Sequence, residues 1–241
     1  MIRLDKFLSE MSGWTRSEVK KIVRTGSVTV DGNEVKKPET KIDEKLSIVR
    51  VDGRQIKYNK YEYYMLNKPK GFVSATTDRE HKTVVDIISS SEKKDLFPVG
   101  RLDIDTEGLL LITNDGELAH RLLAPKNHVE KTYYVEVSGI LDDADVDAVE
   151  KGLDIGEEKN TIPAKMEILK TDIQNNISSC YLTIHEGKFH QVKRMMKKLG
   201  KTVTYLKRVS MGSLILDSKL KKGNYRKLTE QEIIEIGRAH V

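Results

Sequence analysis

Apolar residues recur at helical spacing at the start of the chain. Leu4, Phe7, Leu8 and Met11 share one face, so residues 3–11 read as a short amphipathic helix ended by Gly13. Thr15 with Glu18 makes a capping box for a second helix, which buries Val19, Ile22 and Val23 and stops at Gly26. The period then becomes alternating. Val28 and Val30 lead into Asp31-Gly32, a hairpin signal, and Val35, Ile42, Leu46 and Ile48 continue as short strands. Residues 49–61 are mixed and polar, with turn signals at Asp52-Gly53 and Tyr58-Asn59-Lys60.

From Tyr61 the pattern is mostly of strands. Residues 61–67 are aromatic and alternating, and end in the turn Lys68-Pro69-Lys70-Gly71, a plain surface turn on this reading. Val84, Val85, Ile87 and Ile88 suggest a short helix, and Leu109 to Ile112 form a continuous apolar run that suits a buried strand. Asp115 then caps a helix with Leu118, Leu122 and Leu123 inside. In residues 131–137, Tyr133 shares a face with Val135 and Val137. Ala164, Met166 and Ile168 mark one strand, and Cys180, Leu182 and Ile184 another. Val192, Met195, Met196 and Leu199 form a helical stripe closed by Gly200, and Thr229 with Glu232 caps a last helix containing Ile233 and Ile234. The pattern divides the chain into a small domain over 1–53, a linker over 54–60 and a large domain over 61–236. Residues 237–241 follow the last helix abruptly and are set aside as a tail.

Composition narrows the class. The chain has 241 residues, 38% hydrophobic and 33% charged, with no apolar run of membrane-span length and no signal-peptide pattern, so a cytoplasmic protein is expected. The single Cys180 cannot form an internal disulfide. The net charge of +5 is unevenly placed: residues 1–60 hold 14 Lys and Arg against 9 acids, and the rest holds 28 of each. That distribution fits either a phosphate-backbone binder or a solvated basic surface. Residues 142–158 hold eight acids and one lysine and read as a solvated segment turned away from any RNA. Residues 188–208 hold eight cations and no acid, which makes a second basic surface.

The chemistry concentrates at Gly100 to Gly116. A polar loop carrying Arg101, Asp103 and Asp105 precedes the buried strand, and Asn114-Asp115-Gly116 follows it. Three readings of the acids compete: a solvated turn, a hard-cation site, and a reactive carboxylate held by a rigid strand. Gly-Arg-Leu-Asp-x-Asp-Thr-x-Gly-Leu-Leu-Leu-x-Thr-x-Asp-Gly resembles the catalytic-loop signature of the RsuA-type family of ribosomal RNA pseudouridine synthases. Asn67-Lys68-Pro69-x-Gly71, the stretch from Gly187 through His190-Gln191-Val192-Lys193-Arg194-Met195, and Leu206-x-Arg208-x-x-x-Gly212 agree with the same family. Residues 1–48 resemble the small RNA-binding domain named after ribosomal small-subunit protein four.

The resemblance implies an α+β architecture: a small RNA-binding module, then a catalytic domain with a mixed, mostly antiparallel sheet and flanking helices. It implies conversion of one uridine to pseudouridine, in 16S rRNA at the pseudouridine-516 type of site, without cofactor or metal. Asp103 is implied as the catalytic carboxylate, nucleophile or base; Lys193 as its ion-pair partner; and Tyr133 as the ring that packs on the uracil. Spacing alone leaves open whether Lys193 or Arg194 faces Asp103, since neighbouring helix residues diverge by about 100°. Arg3, Arg16, Lys20, Lys21, Arg24, Arg101, Arg194 and Arg208 are the expected RNA contacts, and His190 is given a structural role. The expected partner is ribosomal RNA or a small-subunit precursor particle, met by a monomer. The alternatives are the same reaction on 23S rRNA, an RNA-binding assembly factor without catalysis, and a metal-dependent hydrolase using Asp103, Asp105 and Asp115.

Overall fold

The computed structural model describes residues 1–43, 46–56, 61–88 and 95–238. The chain divides into two compact units, Met1–Glu62 with Ser90–Asp95, and Tyr63–Ser89 with Leu96–Val241. The expected turn at residues 58–60 and the end of the expected tail, residues 239–241, lie outside the described residues.

The first unit begins with β1 (Ile2–Arg3), α1 (Leu4–Ser12) and α2 (Arg16–Arg24). Short strands follow: β2 (Val28–Val30), β3 (Asn33–Glu34), β4 (Lys41–Ile42), β5 (Val49–Val51) and β6 (Arg54–Ile56). β1 pairs with β4, and the other strands form a sheet in the order β3-β2-β5-β6. The Thr15–Glu18 capping box forms in both directions, fixing the start of α2. Asp31 and Gly32 both have positive φ, 51° and 84°, as the tight β2–β3 hairpin requires. Leu4, Phe7, Leu8, Val19, Val23, Val28 and Val49 close the core.

Three expectations change in this unit. Leu46 and Ile48 are exposed and belong to the turn before β5, while Val49 and Val51 take the buried positions. Val35 lies outside any strand. Residues 54–56, expected in the linker, form β6 and pair with β5, because Asp52-Gly53 is a hairpin turn.

The second unit holds β7 (Tyr63–Lys68), β8 (Phe97–Pro98), β9 (Glu107–Thr113), α3 (Gly116–Leu123), β10 (Lys131–Ser138) and α4 (Asp143–Lys151). It continues with β11 (Lys165–Asp172), β12 (Ile177–Ile184), α5 (Gln191–Lys198), β13 (Thr202–Met211), β14 (Leu214–Ile215), β15 (Tyr225–Lys227) and α6 (Glu230–Arg238). The sheet runs β11-β12-β10-β13-β9-β7-β15, with β14 on β13 and β8 on β9. Its strands pair antiparallel except β13 and β9, which run parallel. The expected α+β architecture with a mixed, mostly antiparallel sheet is what the chain adopts. All seven residues of β9 are buried, with one apolar cluster on each face of the sheet. Leu123, expected inside, is 43% exposed, because α3 packs through Leu118, Ala119 and Leu122.

The parallel contact depends on one residue. Gly108 has φ +101° and lies opposite Arg208, and an added Cβ would overlap the Arg208 carbonyl oxygen. Only glycine satisfies both the backbone conformation and the approach. Gly108→Ala is expected to lower unfolding stability by about 3 kcal/mol or more in urea titrations. Gly71→Ala, also at positive φ but with open space around it, is the control and is expected to cost about 1 kcal/mol.

Candidate active site

The loop before β9 is fastened through its backbone. Ser74 Oγ donates to Leu102 O at 2.9 Å and accepts from Leu102 N at 3.0 Å, and Gly71 N donates to Ile104 O at 2.7 Å. The Lys68 ammonium lies beneath: Nζ donates to Asp103 O at 3.0 Å, Thr106 O at 2.9 Å and Pro69 O at 3.2 Å. Lys68 is fully buried at the end of β7 and not on a surface turn. Burial pushes its pKa down to about 8, against the opposing pull of Asp105, Asp103 and Glu107. The loop backbone is thereby set without using the Asp103 carboxylate.

That carboxylate meets Lys193, on the first turn of α5. Lys193 Nζ lies 2.8 Å from Asp103 Oδ2 and 2.6 Å from Asp105 Oδ1. Partial burial opposes the Asp105 charge, but the hydrogen bond and charge of Lys193 outweigh it and hold the Asp105 carboxyl below its usual range. The same burial opposes the Lys193 charge, and the two carboxylates outweigh it and raise its pKa. Arg194 points elsewhere, donating to Glu157 Oε1, Phe189 O and Ile155 O. Of the two neighbours left open by spacing, Lys193 is the one that reaches Asp103.

Asp103 lines a cavity of about 740 Å³, within the range of about 300–1,000 Å³ usual for small-ligand sites. Arg101, Lys131, Tyr133, Lys188, Phe189, His190 and Arg208 also line it. A smaller recess of about 80 Å³ shares Asp103, Tyr133 and His190 with it and adds Lys193. The Tyr133 ring serves both core and cavity, being 8% exposed and in the apolar cluster. Arg101 is exposed at the cavity edge.

Two residues at this site carried no chemical role in the sequence reading. His190 Nε2 lies 3.6 Å from Asp103 Oδ1, and its ring stacks on Phe189 at 3.8 Å between centroids. Phe189 is 70% exposed, a large apolar ring beside a polar cavity. His190 has φ 49°, which turns the chain sharply into α5. Gln191 locks that turn by accepting from Lys188 N at 2.9 Å and donating to Glu186 Oε1 at 3.0 Å.

The family model described as RNA pseudouridylate synthase matches residues 62–198, and the S4 domain model matches residues 2–48. The chain belongs to the RNA pseudouridylate synthase family. It is 47% identical over 233 residues to "Uncharacterized RNA pseudouridine synthase YtzG" of Bacillus subtilis, covering 96% of this chain and 97% of the relative. It is 39% identical over 236 residues to "Ribosomal small subunit pseudouridine synthase A" of Vibrio cholerae, covering 98% and 99%. A solved structure described as "Crystal structure of pseudouridylate synthase" superposes with TM-score 0.68 at 37% identity, covering 98% of this chain and all of that one. Membership makes the protein an isomerase acting on RNA, with an S4 domain ahead of the pseudouridine synthase fold.

In this pseudouridine synthase the expected RNA contacts fall into three groups. Arg16, Lys20, Lys21 and Arg24 are exposed on α2, and Arg3 is exposed but paired with Asp5 at 2.8 Å. The second basic surface is largely neutralised from within. Arg194 pairs with Glu157, Lys198 with Asp154 at 3.7 Å and Lys201 with Asp145 at 2.9 Å. The acidic run 142–158 therefore faces these cations instead of standing apart from them. Arg208 is 2% exposed, so it is no surface phosphate contact; the Gly108 approach brings its Nε to Leu109 O at 2.8 Å. Asp115 accepts from Leu118 N and the Tyr63 hydroxyl as the cap of α3, so it is no third ligand beside Asp103 and Asp105. Among the described residues no group of three or more His, Cys, Asp or Glu is arranged to hold a metal ion, and no helix is long and apolar enough to cross a membrane.

Two outcomes follow from the loop anchors. Lys68→Met leaves the carbonyls of Asp103 and Thr106 without a charged donor and is expected to cost about 2 kcal/mol or more in urea titrations. The Lys193 pairing has a defined pH window. Asp105, lowered from 3.8, stabilises the fold above that pH and loses the contribution as pH falls through its lowered value; Lys193, raised from 10.5, loses its contribution only as pH rises past its raised value. The stability gap between wild type and Lys193→Met, about 1 kcal/mol, is expected to stay flat in thermal melts from about pH 5 to 9 and to shrink at more acid pH.

Proposed function

We propose that the chain converts one uridine of 16S rRNA to pseudouridine, at the pseudouridine-516 type of site, using Asp103 and no cofactor. The single observation that carries the mechanism is the Asp103 carboxylate, three-quarters buried in a nucleotide-sized cavity with an ammonium 2.8 Å away. The choice of small-subunit RNA rests on the name of the Vibrio cholerae relative, which matches over nearly the full length of both chains.

The reaction breaks the glycosidic carbon–nitrogen bond, turns the uracil, and rejoins it to the ribose through carbon 5. Bonds broken and formed balance, with one proton leaving carbon 5 and one reaching nitrogen 1, so no oxidant or energy source enters. Asp103 acts as nucleophile or base on the nucleoside. Lys193 orients it through the ion pair, with Asp105 holding the far side of the ammonium. Tyr133 lies under the base and restrains it while it turns. The uridine must leave its stack to reach Asp103, at a cost of about a few kcal/mol. The exposed cations of α2 offset part of this through phosphate contacts, which position the RNA without reading sequence. Arg101 fills the place the uridine leaves, or holds a phosphate beside it.

Asp103→Asn is expected to abolish pseudouridine formation in a 16S rRNA assay while RNA affinity stays within about threefold of wild type. A non-catalytic assembly factor would leave pseudouridine unchanged in cells carrying this variant. Pseudouridine mapping of rRNA from a deletion strain identifies the position lost, and a loss confined to 23S rRNA would overturn the choice of substrate.

A further inference from the structure

The cavity that holds Asp103 carries two cations for which the isomerisation has no use. Lys131 opens β10, and Arg208 lies on β13 opposite Tyr133 in the β10–β13 register. Both line the cavity. Arg208 is 2% exposed; its Nε is satisfied by Leu109 O, and its Nη2 has no hydrogen-bond partner among the described residues. Lys131 Nζ donates to Val129 O at 2.7 Å. Among the described residues neither cation has a carboxylate in ion-pair range. The carboxylates of the cavity are committed elsewhere: Asp103 to Lys193, and Glu186 to Lys188, Gln191 and the Ile162 amide.

Such an arrangement is electrostatically incomplete. A buried guanidinium without a counter-ion is costly, and a second cation beside it adds repulsion. Burial, and then the Arg208 charge, push the Lys131 ammonium down to about 8. An anion entering the cavity would relieve both, and a planar fork with a free N–H suits a phosphate oxygen. In RNA the only anions are phosphodiesters. Lys131 and Tyr133 lie two residues apart on one face of β10, about 7 Å along the strand, so such an anion would sit within one nucleotide of the proposed base-stacking ring. Arg101 is not an equivalent candidate because it is exposed, nor is Lys188, whose Nζ is held by Lys159 O and Asn160 O.

We propose that Lys131 and Arg208 form a buried subsite for one phosphodiester flanking the target uridine, seating the nucleotide against Asp103. The subsite rests on the reading of Asp103 as the reactive carboxylate.

The test uses Lys131→Met in the full chain, with a thermal melt to establish folding, because an Arg208 variant also loses the bond to Leu109. RNA binding is measured by anisotropy over a range of salt, using a 16S rRNA fragment that contains the modified uridine. Lys131→Met is expected to weaken binding about tenfold and to lower the slope of log affinity against log salt by about one. Single methylphosphonates are then placed at each phosphate near the uridine. One position is expected to weaken wild type by a similar factor and to leave Lys131→Met no weaker than before. An unchanged salt slope, or penalties that add to the Lys131 variant at every position, overturns the subsite. Protection of wild type alone by inorganic phosphate, with RNA binding unaffected by the variant, also overturns it in favour of a free-phosphate site. Pseudouridine formation by wild type is scored in the same samples. Its absence overturns the proposed function, whereas an active wild type with Lys131→Met at unchanged KM overturns the subsite alone.

Discussion

The buried ammonium of Lys68 is the contact on which the rest of the site depends. It sits under the 103–106 loop and donates its hydrogen bonds to main-chain carbonyls. A carboxylate partner would have been the cheaper way to bury the charge, but in this loop it would have consumed Asp103 or Asp105. Carbonyl dipoles satisfy the ammonium and leave both carboxylates to Lys193. The Ser74 and Gly71 contacts complete the fastening of the loop.

Charge elsewhere in the catalytic unit is arranged for holding the structure together more than for attracting RNA. The acids of 142–158 meet Arg194, Lys198 and Lys201, and so tie the α4 region to α5 and to the turn before β13. This fixes the helix whose first turn carries Lys193. Exposed positive charge also stands on α2 of the small unit, at Arg16, Lys20, Lys21 and Arg24.

Much of this was legible from residue order alone. The Thr15, Asp115 and Thr229 caps and the β9 strand are local signals, and each formed where its residues predicted. The pairing of Asp103 with the helix after His190-Gln191-Val192 came from the family motif, and the geometry selects Lys193 over Arg194. What stayed hidden was long-range. Lys68 looks like a turn residue because its partners in the loop, Asp103 O and Thr106 O, lie 35 and 38 positions away. Arg194 looks like a free cation until Glu157 is brought beside it from another element. Arg208 looks exposed because no local pattern reports that Gly108 lets two strands close over it. His190 stands 87 positions from Asp103 in the chain, yet its ring lies beside that carboxylate.

The shared position of Lys193 has a consequence for movement. One ammonium bound to two acids can let go of either and stay neutralised by the other. Asp103 can therefore turn further into the cavity it lines without stranding a bare cation behind it, because Asp105 stays as a mooring. A one-to-one ion pair would have to break outright at that moment; this triad only loosens.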